Sequence, residues 1–197
     1  MNSRNINLTM NLLIVILEII GFILVFNEMG LTSLEYYTED SNLLLLISSL
    51  MFSIFLLTNK ELPSWFKSLR YIAIVSTTLT LIIVLTVLSW TTDFGLYHLL
   101  FGGSMLYHHT LCPILAIISF IIEKYDNLNV IHGLYFTIIY AIIMIFLNII
   151  KVVEGPYPFL LVYNQPAIHS VIWTIVILAI TYAIALALKK VNGKVII

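Results

Sequence analysis

Along the chain, polarity changes on the scale of whole helices rather than of single residues. Six apolar runs, Leu8–Phe26, Ser41–Leu57, Tyr71–Trp90, Ser104–Ile122, Leu134–Ile150 and Ile168–Leu188, are separated by short polar stretches. Each is close to the ~20 residues that a helix needs to cross ~30 Å of hydrocarbon. The runs are continuous and lack a period of two, so spanning strands are excluded; an open sheet would also leave unpaired backbone in lipid. No long linker, internal repeat or low-complexity segment interrupts the pattern. It predicts an all-α, polytopic integral membrane protein in which residues 1–197 form a single six-span transmembrane domain.

Composition agrees: 61% of the 197 residues are hydrophobic and 10% charged, whereas soluble domains run near half and a quarter. The bilayer is therefore the first expected partner. A net charge of -1 leaves no basic footprint, so nucleic acid is not expected. The single cysteine, Cys112, cannot form an internal disulfide. Orientation follows from the bases. Arg4, Lys60, Lys67, Arg70, Lys124, Lys189, Lys190 and Lys194 all fall on one side of the expected spans. The opposite loops carry Glu28, Glu35, Glu39, Asp40, Asp93 and Glu154, with Lys151 their only base. The positive-inside rule then places both termini in the cytoplasm and the acidic loops outside the cell membrane.

That topology brings three separated stretches to the outer face. Tyr36–Asn42 enters the second span, His108-His109 enters the fourth, and Gly155-Pro156-Tyr157-Pro158-Phe159 precedes the sixth. Thr38 and Asn42 are four apart and share a helix face if the helix has begun by Thr38. Pro113 has no N–H for the carbonyl of His109, so a helix here is kinked and that acceptor released.

Thr38 with Asn42, a histidine a few residues before Pro113 and the Tyr157–Phe159 triplet resemble the androgen-induced and androgen-dependent TFPI-regulating family of membrane threonine hydrolases, with its small bacterial relatives. The matches lie at three places and in the same order across nearly the whole chain. The resemblance implies a six-span hydrolase of lipid esters, namely fatty-acid esters of hydroxy fatty acids or similar molecules. It implies no cofactor, Thr38 as nucleophile, and a histidine base. His109 fits the family's histidine-threonine pair; His108 fits the longer spacing to proline and stays open as the alternative base.

The chemistry asks for what these positions offer. A threonine hydroxyl is a poor nucleophile until a histidine within reach takes its proton. The oxyanion that follows needs fixed donors, for which Asn42, the free N–H groups at the start of the second span and Tyr157 are candidates. Each residue also has a plainer use. Thr38 ahead of Glu39 and Asp40 reads as a helix cap. Tyr36, Tyr37, Tyr157 and Trp90 fall where an interfacial aromatic belt would lie, and Asn42 could bond a neighbouring helix. Glu18, near the middle of the first span with Asn11 on roughly the same face, requires a partner or neutrality. A small transporter or channel lined by Glu18, Asn11 and Asn148 is one alternative. A metal-dependent hydrolase using His98, His108, His109, His169, Asp93 and Glu154 is another, although no H-E-x-x-H spacing supports it and no metal is expected.

Overall fold

A computed structural model describes residues 3–157 and 160–194, and every regular element among them is helical. Helix α1 (Ser3–Met29) leads through a 3₁₀ segment (Gly30–Glu35) into α2 (Tyr37–Leu57). Helix α3 (Ser64–Ile83) continues through a π turn (Val84–Leu88) to a last turn (Ser89–Thr91). A six-residue helix, α4 (Leu96–Phe101), precedes a second π turn (Leu106–Leu111) that opens α5 (Cys112–Ile122). A 3₁₀ segment (Val130–Leu134) starts α6 (Tyr135–Ile149), and α7 (Ala167–Val191) closes the series.

Five stretches are long and apolar enough to cross a membrane: Ser3–Glu35, Tyr37–Leu57, Ser64–Thr91, Val130–Ile149 and Ala167–Val191. The shorter apolar Leu106–Ile122 makes the sixth, so the chain is an all-α, multi-pass membrane protein. The ends of the bundle are tied by polar contacts. Arg4 donates to the carbonyl of Leu56 at 2.5 Å, and the Asn192 amide donates to the carbonyls of Phe120 (2.7 Å) and Glu123 (2.8 Å). The N-terminal turn, the α2–α3 loop, the α5–α6 loop and the end of α7 thus share one lysine-rich end.

Apolar side chains gain little by leaving lipid for one another, so close packing and interhelical polar contacts must hold such a bundle. Helix α3 is its axis: 61% of its most apolar window is buried, against at most 39% for the other long helices. It packs on α2, α5, α6 and α7, while α1 covers α2 and α5. Its buried face is rich in hydroxyls that return to its own backbone, Ser76 to Ile72 (2.9 Å) and Thr78 to Ile74 (2.6 Å). Thr80 also meets Ser41 of α2 at 3.1 Å.

Arg70 departs from its expected place as a flanking loop base. It lies inside α3 and is fully buried. Its guanidinium reaches Glu123 Oε1 at 2.9 Å and Oε2 at 3.4 Å, and Ser49 Oγ at 2.9 Å, with the Phe52 ring 5.4 Å away. Glu123 also accepts from Ser119 (2.7 Å) and Tyr125 (2.6 Å). Burial beside that carboxylate pushes the Tyr125 phenol well above its ordinary range.

Candidate active site

The site is assembled at the opposite end, beginning with the start of α2. The helix starts at Tyr37, four residues before the apolar run, and its N-cap position is Tyr36, with no side-chain cap. Thr38 is therefore inside the helix and not its cap. Its hydroxyl is free to turn to a neighbour, and the residue is buried. The Asn42 amide donates both to the carbonyl of Thr38 (2.8 Å) and to that of His108 (3.0 Å). Asn42 thus braces α2 against the fourth crossing, and both its N–H groups point at backbone carbonyls rather than into open space.

The fourth crossing meets this brace through an irregular turn. Because Pro113 cannot donate, the backbone ladder slips to i→i+5 spacing over Leu106–Leu111, with the Cys112 N–H on the carbonyl of Tyr107. The expected kink takes the form of a π turn, and both His108 and His109 end up buried within it. Helix α4 contributes what the sequence did not suggest. Its last carbonyls have no partner in so short a helix, and they accept from the π turn: Leu99 from His109 Nδ1 at 2.6 Å and Leu100 from Thr110 Oγ1 at 2.8 Å. Gly103, at φ +51°, turns the chain back to make this possible.

A carbonyl oxygen can only accept, so the Leu99 contact places the His109 proton on Nδ1. The other nitrogen, Nε2, is then bare, and it lies 3.4 Å from Thr38 Oγ1. The pair has the polarity of a general base and its nucleophile, at a separation that substrate binding commonly tightens.

Tyr157 completes the group. Its phenol is buried beside the side chain and the backbone of Thr38. Burial pushes it above the ordinary phenol range, so it remains a protonated donor. Tyr36 stands edge-on to it at 5.9 Å. Pro158 and Phe159 of the same loop lie outside the described residues. The aromatic belt is thus divided: Trp90 is 84% exposed, whereas Tyr37 and Tyr157 turn inward, Tyr37 to bond Thr137 at 2.8 Å.

Thr38 and Tyr157 stand on the wall of a narrow apolar cleft with a cavity volume of about 60 Å³, lined also by Leu88, Ala141, Trp173 and Ile177. Apolar walls with a few convergent polar groups are the usual make-up of a small-molecule site. Helices α3, α6 and α7 supply those walls, so a hydrocarbon chain lying among them would present its polar end to Thr38.

His108 has different neighbours from His109. Its Nδ1 is 2.7 Å from Glu39 Oε2 and its Nε2 3.4 Å from Glu18 Oε2. Phe22 packs on the ring at 4.7 Å. Room for the imidazole depends on Gly21, where an added Cβ would collide with Nε2. Gly21→Ala should therefore displace a ring enclosed on every side. A loss of about 1–3 kcal/mol is expected, read as a lower thermal midpoint in detergent; an unchanged midpoint would mean that the ring has slack the packing does not show.

The polar residues of the transport alternative do not form a path. Asn11 bonds Ser119 at 2.9 Å, whereas Asn148 braces the α6–α7 loop through Val153 (3.1 Å) and Val162 (3.2 Å). Between the level of Asn11 and Ser119 and that of Glu18 and Cys112, the buried faces of α1 and α5 present Ile14 and Ala116, both fully buried. Two helical turns, roughly 10 Å, are thereby left without a polar side chain from either helix. Among the described residues no group of three or more His, Cys, Asp or Glu is arranged to hold a metal ion. No family model, curated protein or solved structure matches the chain.

Proposed function

We propose that this chain is an integral membrane hydrolase of lipid esters, with Thr38 as nucleophile and His109 as base. The observation that carries this reading is the bare His109 Nε2 facing the Thr38 hydroxyl at the head of an apolar cleft. His109 Nε2 takes the hydroxyl proton as Thr38 Oγ1 attacks the ester carbonyl carbon. The carbonyl oxygen becomes an oxyanion beside the Tyr157 phenol, which leaves its contact with Thr38 to donate to it. The imidazolium returns its proton to the departing alcohol. Water, activated by the same Nε2, then attacks the acyl-threonine, and the proton passes back to Thr38 as the acid leaves.

Substrate class rests on the cleft. Its walls suit an acyl chain, and the resemblance to the androgen-induced family points to esters of hydroxy fatty acids. The distribution of lysine and acidic residues supports a site at the outer face of the cell membrane. Purified protein should take a fluorophosphonate label, whereas Thr38→Ala and His109→Ala should stay folded and remain unlabelled. Labelling of Thr38→Ala at the wild-type level would remove the nucleophile, and an unlabelled wild type that carries ions across vesicles would turn the reading towards transport.

A further inference from the structure

The proposed mechanism leaves one need unmet. When His109 takes a proton it becomes a buried cation, and its Nδ1 partner is the Leu99 carbonyl, a dipole without net charge. A buried charge calls for an opposite one nearby. The titratable groups that act on this imidazole are Glu39 of α2 and His108 of its own crossing, and Glu18 of α1 stands behind His108. Among them Glu39 directly follows Thr38, whose hydroxyl is 3.4 Å from His109, and is itself buried with its carboxylate 2.7 Å from His108, the residue next to His109.

Glu39 is in turn gripped from behind. His108, next to the base in sequence, is fully buried with Glu39 on one ring nitrogen and Glu18 on the other. Neither nitrogen has another partner, nor have Glu39 Oε2 and the two Glu18 oxygens an aligned hydrogen bond. The contacts are close without meeting the alignment of hydrogen bonds. Two carboxylates drawn onto one imidazole, from helices α1 and α2, form an unusual arrangement for a site with no role: unsatisfied buried polar atoms are costly and rare.

Building on the hydrolase reading, we infer that Glu39 is the carboxylate that balances the charge arising on His109, and that His108, anchored by Glu18, is the positioning residue that holds Glu39 in place. The adjacent pairs Thr38-Glu39 and His108-His109 then act together. Thr38 faces the cleft and exchanges its proton with His109, while Glu39 and His108 lie behind them and supply the field. A split arrangement of this kind does for His109 what a directly bonded aspartate does in a serine triad.

The test compares wild type with Glu39→Gln and His108→Gln, which preserve size while removing charge. Two readouts are used: hydrolysis of a p-nitrophenyl ester across pH, and the titration of His109 followed by NMR in protein carrying ¹³C-labelled histidine. In Glu39→Gln the kcat should fall roughly 10- to 100-fold, as expected for the loss of one nearby unit charge inside a protein, with KM retained. Loss of the anion disfavours the imidazolium, so the His109 titration and the acid limb of the rate should both move to lower pH. His108→Gln should move them the same way by less, and Glu39→Asp should restore part of the rate. A His109 titration unchanged in Glu39→Gln would overturn the inference. Absence of ester turnover in wild type, with the titration shift still present, would instead reject the hydrolase reading and leave the Glu39–His109 coupling standing. Should Glu39→Gln not fold, the His108→Gln titration decides in the same way.

Discussion

Arg70→Met should lower the stability of the bundle by about 3–5 kcal/mol, because it leaves the Glu123 carboxylate buried without its cation. Arg70 and Glu123 are both fully enclosed, and their 2.9 Å contact joins α3 to the end of α5. Ser119 and Tyr125 would still donate to Glu123, yet neutral donors do not balance a charge. The double variant Arg70→Met with Glu123→Gln should recover much of the loss, since no charge is then stranded. Unfolding in detergent, followed for both variants and wild type, checks this. If the double variant were as unstable as the single, the guanidinium's place over the Phe52 ring would matter more than its pairing with Glu123.

The largest effect on activity is expected at His109. In His109→Ala the kcat should fall about 10²–10⁴-fold, the usual contribution of a positioned base. KM should change little, because the cleft walls come from α2, α3, α6, α7 and the outer loop, and His109 is not among them. The wild-type rate should also drop on the acid side, since a protonated Nε2 cannot accept the threonine proton. Tyr157 adds no alkaline limb at moderate pH, because burial holds its phenol above the usual range. A KM that rose with kcat unchanged would place His109 in binding rather than in proton transfer.

The spans were legible because six long apolar runs leave a helix no alternative in lipid, and Pro113 announced an irregular turn beside the histidines. Thr38, His109 and Tyr157 were within reach of sequence reasoning because loop order alone sends them to one end. Partner choice was less accessible. Arg70 reads as a loop base until α3 is seen to begin at Ser64, which turns its side chain inward to Glu123. The assignment of His109 to Thr38 and of His108 to Glu18 and Glu39 depends on the rotation of a π turn, and helical periodicity does not encode it. The Leu99 carbonyl had only a faint signal, six residues bracketed by Gly95 and Gly102, too short to span and long enough for a turn and a half. Gly21 could be explained only once the ring filling its place was known.

Locating the fluorophosphonate adduct by peptide mass spectrometry tests the central claim most directly. Thr38 activated by His109 predicts a single stoichiometric adduct on the peptide containing Thr38, absent from His109→Ala under the same exposure. An adduct on another residue, or ester hydrolysis that persists in Thr38→Ala, would contradict it.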